Sequence, residues 1–370
     1  MNNKKHCKFL LILLLTSFII SGCNAQANIS DSTAEEPSSP EVPTPAAEEY
    51  RITLGFAGDI CFDDNEDVMV RYRSEGNDIS KCIDPEFIRI MNDMDVMWIN
   101  NEFCYSKRGT PMAGKAWTFR SDTKNVSILK ELGVDIAGLA NNHVFDYGRE
   151  AFLDTLDTLK NAGIPYVGAG RNIEEASSPV YIEAGGIKIA YVAATRAEKY
   201  ILTPEAGENT PGVLRCYDTA GFVQAIKKAR TQADFVIALP HWGTERSTVL
   251  EKAQTSSARE YIDAGADMVI GAHSHCLQGI EFYNGKPVIY SLGNFWFDRY
   301  PEDTMVLQVT LTGRDPKDLH TAVTIHPGSQ KDLTTTYAGT RAKKERIFRY
   351  IEKISVNATV DDEGDVVEKP

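Results

Sequence analysis

The sequence predicts an α/β fold, in which parallel strands alternate with crossover helices and end along one edge of a sheet. Three observations predict it: short apolar runs of strand length, segments of helical periodicity between them, and polar side chains directly after the runs. In GLANNHVFDYG, for example, two amides, an imidazole and a carboxylate follow the apolar run VDIAGLA. Loops converge on a ligand crevice at the carboxyl ends of such strands. The pattern therefore predicts a binding site assembled from strand ends.

Five apolar runs end in residues that can bind a ligand. In chain order, the runs and the polar residues that follow them are 51–57 with Asp59, 96–99 with Glu102, 134–140 with Asn142 and His143, 235–239 with His241 and Glu245, and 268–270 with His273 and His275. Each cluster also has a structural explanation of its own, since Asp59 could form a turn, Asn142 could cap a helix and His241 could be a core histidine. Their recurrence at five strand ends favours one shared site.

Four segments between these runs have apolar residues at the spacing of an amphipathic helix, and they are 124–132, 149–162, 218–231 and 252–264. Ser121 is the expected N-cap of the first of them. Alternation of strand and helix implies parallel strands with crossover connections. The carboxyl ends of the strands then share one edge, which brings the five polar clusters together.

Smaller elements are expected in the C-terminal part of the chain, namely a strand over 303–312, its partner over 321–326 and a basic amphipathic helix over 341–354. Asn284-Gly285 separates two apolar runs and predicts a hairpin turn. The acidic residues 360–370 predict a mobile tail.

Residues 1–22 have the anatomy of a signal peptide. Three lysines precede an apolar run that is too short to span a bilayer. The run closes on Ile20-Ser21-Gly22-Cys23, which is similar to a bacterial lipobox, so we expect Cys23 to be the lipidated first residue of the mature protein. An ordinary secretory signal is the alternative. Under both interpretations the chain is exported, and lipidation would anchor it at the extracytoplasmic face of the cell membrane.

Residues 23–49 predict a disordered tether, because the segment after Cys23 holds six acidic residues, four prolines and no basic residue. We expect one large domain over 50–300, completed by residues 301–370. Removing the three signal lysines from 39 basic residues leaves 36 against 52 acidic residues, a formal net charge of −16. This charge argues against nucleic acid and anionic lipid surfaces as partners, but not against an acidic substrate held through metal ions.

The ligand types indicate a divalent metal. Carboxylate, imidazole and amide groups suit Zn²⁺, Mn²⁺ or iron at a site with open positions. Two such ions bridged by a carboxylate can activate water and stabilise the attacking and leaving oxygens. A serine hydrolase is not supported, because the chain contains no G-x-S-x-G motif.

A family resemblance rests on several motifs that occur in order between residues 51 and 298: GFAGDI, WTFRSD followed by LGVDIAGLANNHVFDYG, LPHWGTE, GAHSHCLQGIE and YSLGNF. Together they resemble the CapA family, also called the poly-γ-glutamate capsule synthesis or PGA-cap family, which belongs to the calcineurin-like metallophosphoesterase superfamily. The resemblance implies a four-layer α/β/β/α sandwich with a metal site at the strand ends. It also implies a link to an anionic capsule or envelope polymer.

The resemblance implies roles for individual residues as well. The metal ligands it implies are Asp59 and His275 for a first ion, Asn142, His241 and His273 for a second, and Glu102 as the bridging carboxylate. His143 would contact the scissile group and protonate the leaving oxygen, with Asp146 orienting it. Glu245 and Asn294 would lie at the rim and meet substrate. Arg120, next to the WTF motif, either grips a substrate carboxylate or phosphate or pairs with a surface acid.

Two departures from the superfamily concern the first metal and the bridge. The superfamily has Asp-x-His after its first strand, whereas this chain has Asp59-Ile60-Cys61. Cys61 either supplies a thiolate ligand or is an ordinary buried residue that leaves the first metal weakly held or absent, and we favour the second interpretation. The bridge is Glu102, where the superfamily has aspartate, and its extra methylene changes the spacing of the metals.

Cysteine usage adds little to this picture. Besides Cys23, the mature chain has five cysteines, and they are Cys61, Cys82, Cys104, Cys216 and Cys276. The odd number leaves at least one thiol unpaired, and the spacing is not that of a disulfide scaffold or a zinc ribbon. Cys104 and Cys276 fall within two residues of proposed ligands, and we expect both to be small buried residues.

Three functions follow as hypotheses. The first is an exported, lipid-anchored, metal-dependent hydrolase that acts in synthesis, release or remodelling of a poly-γ-glutamate-like capsule or another anionic envelope polymer, alongside membrane capsule-synthesis proteins. The second is a non-catalytic lipoprotein that binds the polymer and supports its export, which the altered first-metal residues favour. The third is a conventional exported metallophosphoesterase that acts on a small organic phosphate.

Overall fold

Two mixed β-sheets lie face to face at the centre of the molecule, and helices cover their outer faces. The computed structural model describes residues 49–198, 202–298 and 300–370, all within the compact unit Ala47–Pro370. The predicted signal peptide over 1–22, Cys23 and the tether up to residue 48 lie outside the described residues. Within the described ranges, no helix is long and apolar enough to cross a membrane.

The strands are short apart from the first and the two long ones near the C-terminus. In chain order they are β1 (Tyr50–Ile60), β2 (Val96–Asn101), β3 (Cys104–Tyr105), β4 (Arg120–Ser121), β5 (Ile136–Gly138), β6 (Tyr166–Val167), β7 (Ala169–Gly170), β8 (Val180–Ala184), β9 (Ile187–Thr195), β10 (Gly212–Val213), β11 (Phe235–His241), β12 (Met268–Ile270), β13 (Ile280–Tyr283), β14 (Lys286–Ile289), β15 (Asn294–Trp296), β16 (Glu302–Asp315), β17 (Asp318–Lys331), β18 (Thr334–Tyr337), β19 (Ala358–Val360) and β20 (Val366–Glu368).

Helices connect most of the parallel strands. In chain order they are α1 (Asp67–Ser74), α2 (Pro85–Asp93), α3 (Val126–Glu131), α4 (Gly148–Ala162), α5 (Ile173–Ala176), α6 (Ala220–Arg230), α7 (Lys252–Asp263) and α8 (Arg341–Ile354).

The strands that carry the predicted ligands are divided between the two sheets. The first sheet has the order β18, β17, β16, β1, β2, β5 and β6, with β15 also paired to β1. The second has the order β13, β14, β12, β11, β9 and β8. Within each sheet the ligand-bearing strands are parallel, as predicted. The prediction of a single shared edge is wrong, because the five strand ends come from two facing sheets.

Three hydrophobic clusters separate four layers. The middle cluster joins the facing sides of the two sheets, where the ring centroid of Phe56 lies 6.2 Å from that of Trp98 and 6.3 Å from that of Tyr191. An outer cluster packs α1 to α4 on the first sheet, and another packs α6 and α7 on the second. This arrangement confirms the α/β/β/α sandwich that the resemblance implies.

Most predicted helices lie where the periodicity places them, but the first begins later. Ser121 is not its cap, because Ser121 pairs with Tyr105 at the end of β4. The side chain of Asp122 instead accepts a hydrogen bond from the backbone N–H of Lys124, and a short 3₁₀ turn leads into α3. The predicted hairpin turn at Asn284-Gly285 is confirmed between β13 and β14, with both residues at positive φ.

The acidic C-terminal segment is not a mobile tail. It folds back as the antiparallel pair β19 and β20, and Ala358, Val360 and Val366 are buried in the middle cluster. The carboxylate of Asp361 closes the turn by accepting hydrogen bonds from the backbone N–H groups of Gly364 and Asp365. The prediction failed because the acidic composition of the segment hides two apolar residues, Val360 and Val366, which are buried together with Ala358 in the hairpin.

His326 on β17 provides a test of how burial affects stability. Burial first, and then the nearby charges of Lys344 and Arg89, lower the pKa of His326 to about 4, whereas an unfolded histidine titrates near 6.5. Between these two pH values the unfolded state therefore binds more protons than the folded state does. The contribution of neutral His326 to the free energy of unfolding is complete above about pH 6.5 and is lost as the pH falls to about 4. Its Nε2 lies 2.9 Å from Oε1 of Gln308, an interaction that glutamine can replace.

We expect His326→Gln to retain roughly 2–3 kcal/mol more of its unfolding free energy than the unmodified protein when the pH falls from 7 to 4.5. Urea denaturation at both pH values measures the difference. The matched control is His320→Gln, which replaces an exposed histidine on the same strand. An equal loss of stability in the unmodified protein and in His326→Gln would contradict the prediction.

Candidate metal centre

The proposed ligands meet where the carboxyl ends of the two sheets face each other. Asp59 lies near the end of β1 and Glu102 directly after β2, so the first sheet supplies both carboxylates. His241 ends β11, and His273 and His275 follow β12, so the second sheet supplies the imidazoles. All five residues are buried. The site therefore forms at the junction of two sheets rather than along one.

Backbone geometry aims these side chains. Gly58 passes so close to the carbonyl group of Gly293 that any Cβ would collide with it, and this contact lets β15 lie parallel to β1 beside Asp59. His273 and His275 have backbone φ values of +97° and +55°, which residues other than glycine rarely adopt. Strained backbone of this kind often occurs at functional sites, where the surrounding structure maintains it.

A set of amides holds the carboxylates in place. The Nδ2 group of Asn100 donates to Oδ1 of Asp59 at 2.7 Å and to Oε2 of Glu102 at 3.0 Å. Asn141 in turn donates to Oδ1 of Asn100 at 3.1 Å. Asn100 was absent from the predicted site residues, although it belongs to the same polar cluster as Glu102.

Two groups of potential metal ligands share Glu102. One consists of Asp59, Glu102 and His275, and the other of Glu102, His241 and His273, with the ligand atoms of each group within 4.8 Å of one another. The Oδ1 atom of Asn142 lies 2.8 Å from Nε2 of His241, so it can join the second group.

The buried polar atoms of this site fit a divalent ion. Glu102 Oε1 and His273 Nδ1 are buried and have no hydrogen-bond partner among the residues that the structure describes. Glu102 Oε1 lies 3.5 Å from Nε2 of His241 and 3.9 Å from Nε2 of His275. Leaving such atoms unpaired is costly unless they bind something. Carboxylate and imidazole donors are the types that Zn²⁺, Mn²⁺ and iron accept.

Burial shifts the pKa values of Glu102, His241 and His273, which form the second ligand group. It raises the pKa of Glu102 well above its usual range, and the nearby charge of Asp59 adds to the effect. It also lowers the pKa of His241 and of His273 well below their usual range, reinforced by the charges of neighbouring imidazoles. Both histidines are therefore neutral near pH 7, which is the form that binds metals.

Asp59 and His275 form an ion pair at 3.4 Å. Burial opposes charge on both residues, but their mutual attraction outweighs it, so the pKa of Asp59 is lowered and that of His275 is raised. The Nδ1 atom of His275 also lies 2.8 Å from Oδ1 of Asn294. A proton on Nδ1 would thus donate to Asn294 and leave Nε2 facing Glu102.

His143 lies beside the shared carboxylate. Its Nε2 is 4.0 Å from Oε1 of Glu102, and its Nδ1 is 2.6 Å from Oδ2 of Asp146. The backbone N–H of Phe119 donates to the same Asp146 oxygen at 2.7 Å. Burial lowers the pKa of His143 even though Asp146 acts in the opposite direction. Asp146 therefore orients the imidazole ring with Nε2 towards the ligand groups.

Lys115 links this pair to another loop, and the sequence provided no sign of it. Its side chain is only 4% exposed and forms ion pairs with Asp146 at 2.7 Å and with Glu198 at 3.0 Å. It also donates to the backbone carbonyl of Asn142. Glu198 follows β9, a strand whose carboxyl end reaches the same region but was not among the five predicted runs.

Comparison with known proteins was consistent with this geometry. The family model described as bacterial capsule synthesis protein PGA_cap matches residues 53–299. The chain belongs to the PGA_cap family. The PGA biosynthesis protein CapA of Bacillus subtilis strain 168 is 31% identical over 293 residues, which cover 75% of each chain. The capsule biosynthesis protein CapA of Bacillus anthracis is 28% identical over 320 residues, covering 84% of this chain and 75% of that protein.

Solved structures are more distant from this PGA_cap protein. A putative 5′-nucleotidase from Staphylococcus aureus aligns with a TM-score of 0.47 and 15% identity, over 82% of this chain and 58% of the nucleotidase. A likeness at this level says nothing about the chemistry of the site. The family resemblance predicted from the motifs is confirmed by the family model and the two CapA relatives.

The thiol of Cys61 is not part of the first ligand group. Cys61 is fully buried in the outer hydrophobic cluster of the first sheet, and burial raises the pKa of its thiol well above the usual range. It belongs to none of the potential ligand groups among the described residues. All five cysteines of the described chain are free and buried, including Cys104 and Cys276.

The three predicted substrate-binding residues lie in different surroundings. Glu245 is exposed, and one of its carboxylate oxygens lies within 4.8 Å of a ring nitrogen of His273 and of His275. Asn294 is not at the rim, because it is fully buried against His275. The guanidinium group of Arg120 lies 4.1 Å from the centre of the Tyr147 ring and donates to backbone carbonyls of residues 108 and 109.

Proposed function

We propose that this PGA_cap protein is a metal-dependent hydrolase, exported and lipid-anchored through Cys23, that acts in synthesis, release or remodelling of a poly-γ-glutamate-like capsule or another anionic envelope polymer. The observation that carries the proposal is the position of Glu102, which belongs to both potential ligand groups and whose buried, unpaired Oε1 lies 3.5 Å from Nε2 of His241 and 3.9 Å from Nε2 of His275. His143 Nε2 lies 4.0 Å from the same oxygen. The CapA names of the two Bacillus relatives support the link to capsule biosynthesis.

The proposed ligands form two metal positions that share Glu102. Asp59, Glu102 and His275 would hold one ion, and Glu102, Asn142, His241 and His273 the other, with Mn²⁺, Zn²⁺ or iron as candidates. When bound, two such ions lower the pKa of a water molecule and stabilise charge on the attacking and leaving oxygens.

His143 would hold the proton that the leaving group needs. With Nδ1–H donating to Asp146, protonation of Nε2 gives an imidazolium that Asp146 stabilises, and Nε2 can pass this proton to a leaving amine or alkoxide. The ring of Phe119 lies 4.4 Å from the imidazole ring and shields one of its faces from water. Arg120 remains a candidate for binding a carboxylate or phosphate of the substrate.

Activity of the full-length protein tests this proposal. Purified in detergent and loaded with Mn²⁺ or Zn²⁺, it is expected to cleave γ-glutamyl oligomers, and His143→Asn should lower kcat about 10²- to 10⁴-fold. Elemental analysis should find the same metal content in both proteins. Cleavage of a chromogenic phosphodiester alone would instead identify a conventional exported metallophosphoesterase.

One observation favours a second function, that of a non-catalytic lipoprotein that binds polymer during export. Cys61 lies in the hydrophobic cluster instead of supplying the ligand that the superfamily has there, so the first ligand group holds three side chains. Under this alternative, the protein binds γ-glutamyl oligomers equally well with and without metal and cleaves neither substrate. That pair of results would replace the hydrolase proposal.

A further inference from the structure

The loop after β11 crosses the mouth of the metal centre and is fastened there. The backbone N–H of Arg246 donates at 2.7 Å to the carbonyl group of Ser274, the residue between His273 and His275. The guanidinium group of Arg246 forms ion pairs with Asp298 at 2.7 Å and with Glu302 at 2.8 Å. These contacts hold the neighbouring residue, Glu245, directly over the two histidines.

The carboxylate of Glu245 lies close to two of the proposed ligands. It forms no hydrogen bond or ion pair with any residue that the structure describes, while one of its oxygens lies within 4.8 Å of ligand atoms of both His273 and His275. Those two histidines are buried, with 6% and 7% of their surface exposed. The Nδ1 atom of His273 has no hydrogen-bond partner among the described residues. A carboxylate without a hydrogen-bond partner among the described residues thus lies close to two buried histidines, one of which has an unpaired ring nitrogen.

The first ligand group needs a further donor. Asp59, Glu102 and His275 supply three side chains, and Cys61 cannot supply a fourth because its thiol is buried among hydrophobic residues. His275 belongs both to this group and to the group that contains Glu245. Glu245 is also close to His273, a proposed ligand of the second position. That position already has four proposed donors, namely Glu102, Asn142, His241 and His273, so a carboxylate that reaches inwards from the rim would complete the first position.

We propose that Glu245 is a metal ligand, completing the first position in place of the imidazole that the Asp59-Ile60-Cys61 sequence lacks. The inference rests on the proposed metal centre and adds a residue that the resemblance assigned to substrate. Its chemical consequence concerns the choice of metal. Three carboxylates and one imidazole form a harder, more oxygen-rich donor set than the second position has, so the first position suits Mn²⁺ better than the second position does.

Mn²⁺ binding to the metal-free full-length protein tests the role of Glu245. Isothermal titration is expected to show two Mn²⁺ sites in the unmodified protein, and Glu245→Gln should weaken one of them at least about 10- to 100-fold. Electron paramagnetic resonance provides a second readout, because two neighbouring Mn²⁺ ions give an exchange-coupled signal and a single ion does not. Glu245→Gln at one Mn²⁺ per chain should show only the signal of an isolated ion.

The matched control is Glu183→Gln, which removes the same charge from an exposed position on β8, at the opposite end of the second sheet. It should bind two Mn²⁺ ions with unchanged affinity. Two sites of unchanged affinity in Glu245→Gln, or fewer than two in the unmodified protein, would overturn the proposal. Two Mn²⁺ ions in an unmodified protein that cleaves no substrate would refute the hydrolase function and leave Glu245 as a ligand.

Discussion

Replacing Glu102 with glutamine is expected to weaken metal binding at both positions by more than about 100-fold and, at the same time, to stabilise the metal-free protein. Glu102 is fully buried and belongs to both potential ligand groups, so its carboxylate would contact both ions. Without metal, that carboxylate is desolvated and repelled by Asp59, which raises its pKa well above the usual range. A neutral amide removes the repulsion and keeps the hydrogen bond from Asn100.

The two effects have opposite signs, which makes the prediction specific. We expect the unfolding free energy of metal-free Glu102→Gln to exceed that of the unmodified protein by roughly 1–3 kcal/mol in urea denaturation. The control is Glu102→Asp, which keeps a carboxylate and should still bind metal. If Glu102→Gln bound two ions per chain by elemental analysis, Glu102 would not be the bridge.

The proposed metal ligands could be picked out in the sequence because each follows a short, mainly apolar run. His273 and His275 illustrate this, since β12 was predicted at its observed bounds and its parallel neighbours determine where its end lies. The division of the ligands between two sheets was not predictable from periodicity. Whether β2 pairs with β11 or faces it depends on packing in the middle cluster, where side chains of both sheets meet, as Phe56 of β1 and Tyr191 of β9 do.

The residues that support the ligands were harder to predict than the ligands themselves. Lys115 lies in a loop without regular periodicity, and its partners Asp146 and Glu198 are 31 and 83 residues further along the chain. Nothing local distinguishes it from an exposed lysine such as Lys107. Asn294 was expected at the rim for a similar reason, because the sequence does not reveal that it faces His275.

Errors at element boundaries also arose from contacts distant in sequence. Ser121 has the side chain of a good N-cap, but strand pairing with Tyr105 holds it in β4. The acidic segment after Val360 has the composition of a tail, yet burial of Val366 against the middle cluster keeps it folded. In both cases tertiary packing overrode a local preference that was itself correctly identified.

Replacing Lys115 with methionine is expected to lower the free energy of unfolding by about 3–5 kcal/mol. The Lys115 ammonium group is almost fully buried and compensates two carboxylates, Asp146 at 2.7 Å and Glu198 at 3.0 Å. Methionine has a similar volume but leaves both carboxylates without that partner. Because Asp146 is fully buried, its uncompensated charge cannot be solvated without opening the loops around it.

Urea denaturation of metal-free protein at pH 7 measures the effect, and Lys107→Met is the matched control. Lys107 belongs to the same loop, and its side chain is 70% exposed. Its ion pair among the described residues is with Asp122 at 3.1 Å, so its replacement should cost at most about 1 kcal/mol. Equal losses in the two variants would mean that Lys115 does not compensate the buried carboxylates. A large loss confined to Lys115→Met would instead show that the stability of the fold depends on one buried cation, which contacts the same carboxylate, Asp146, as His143 does.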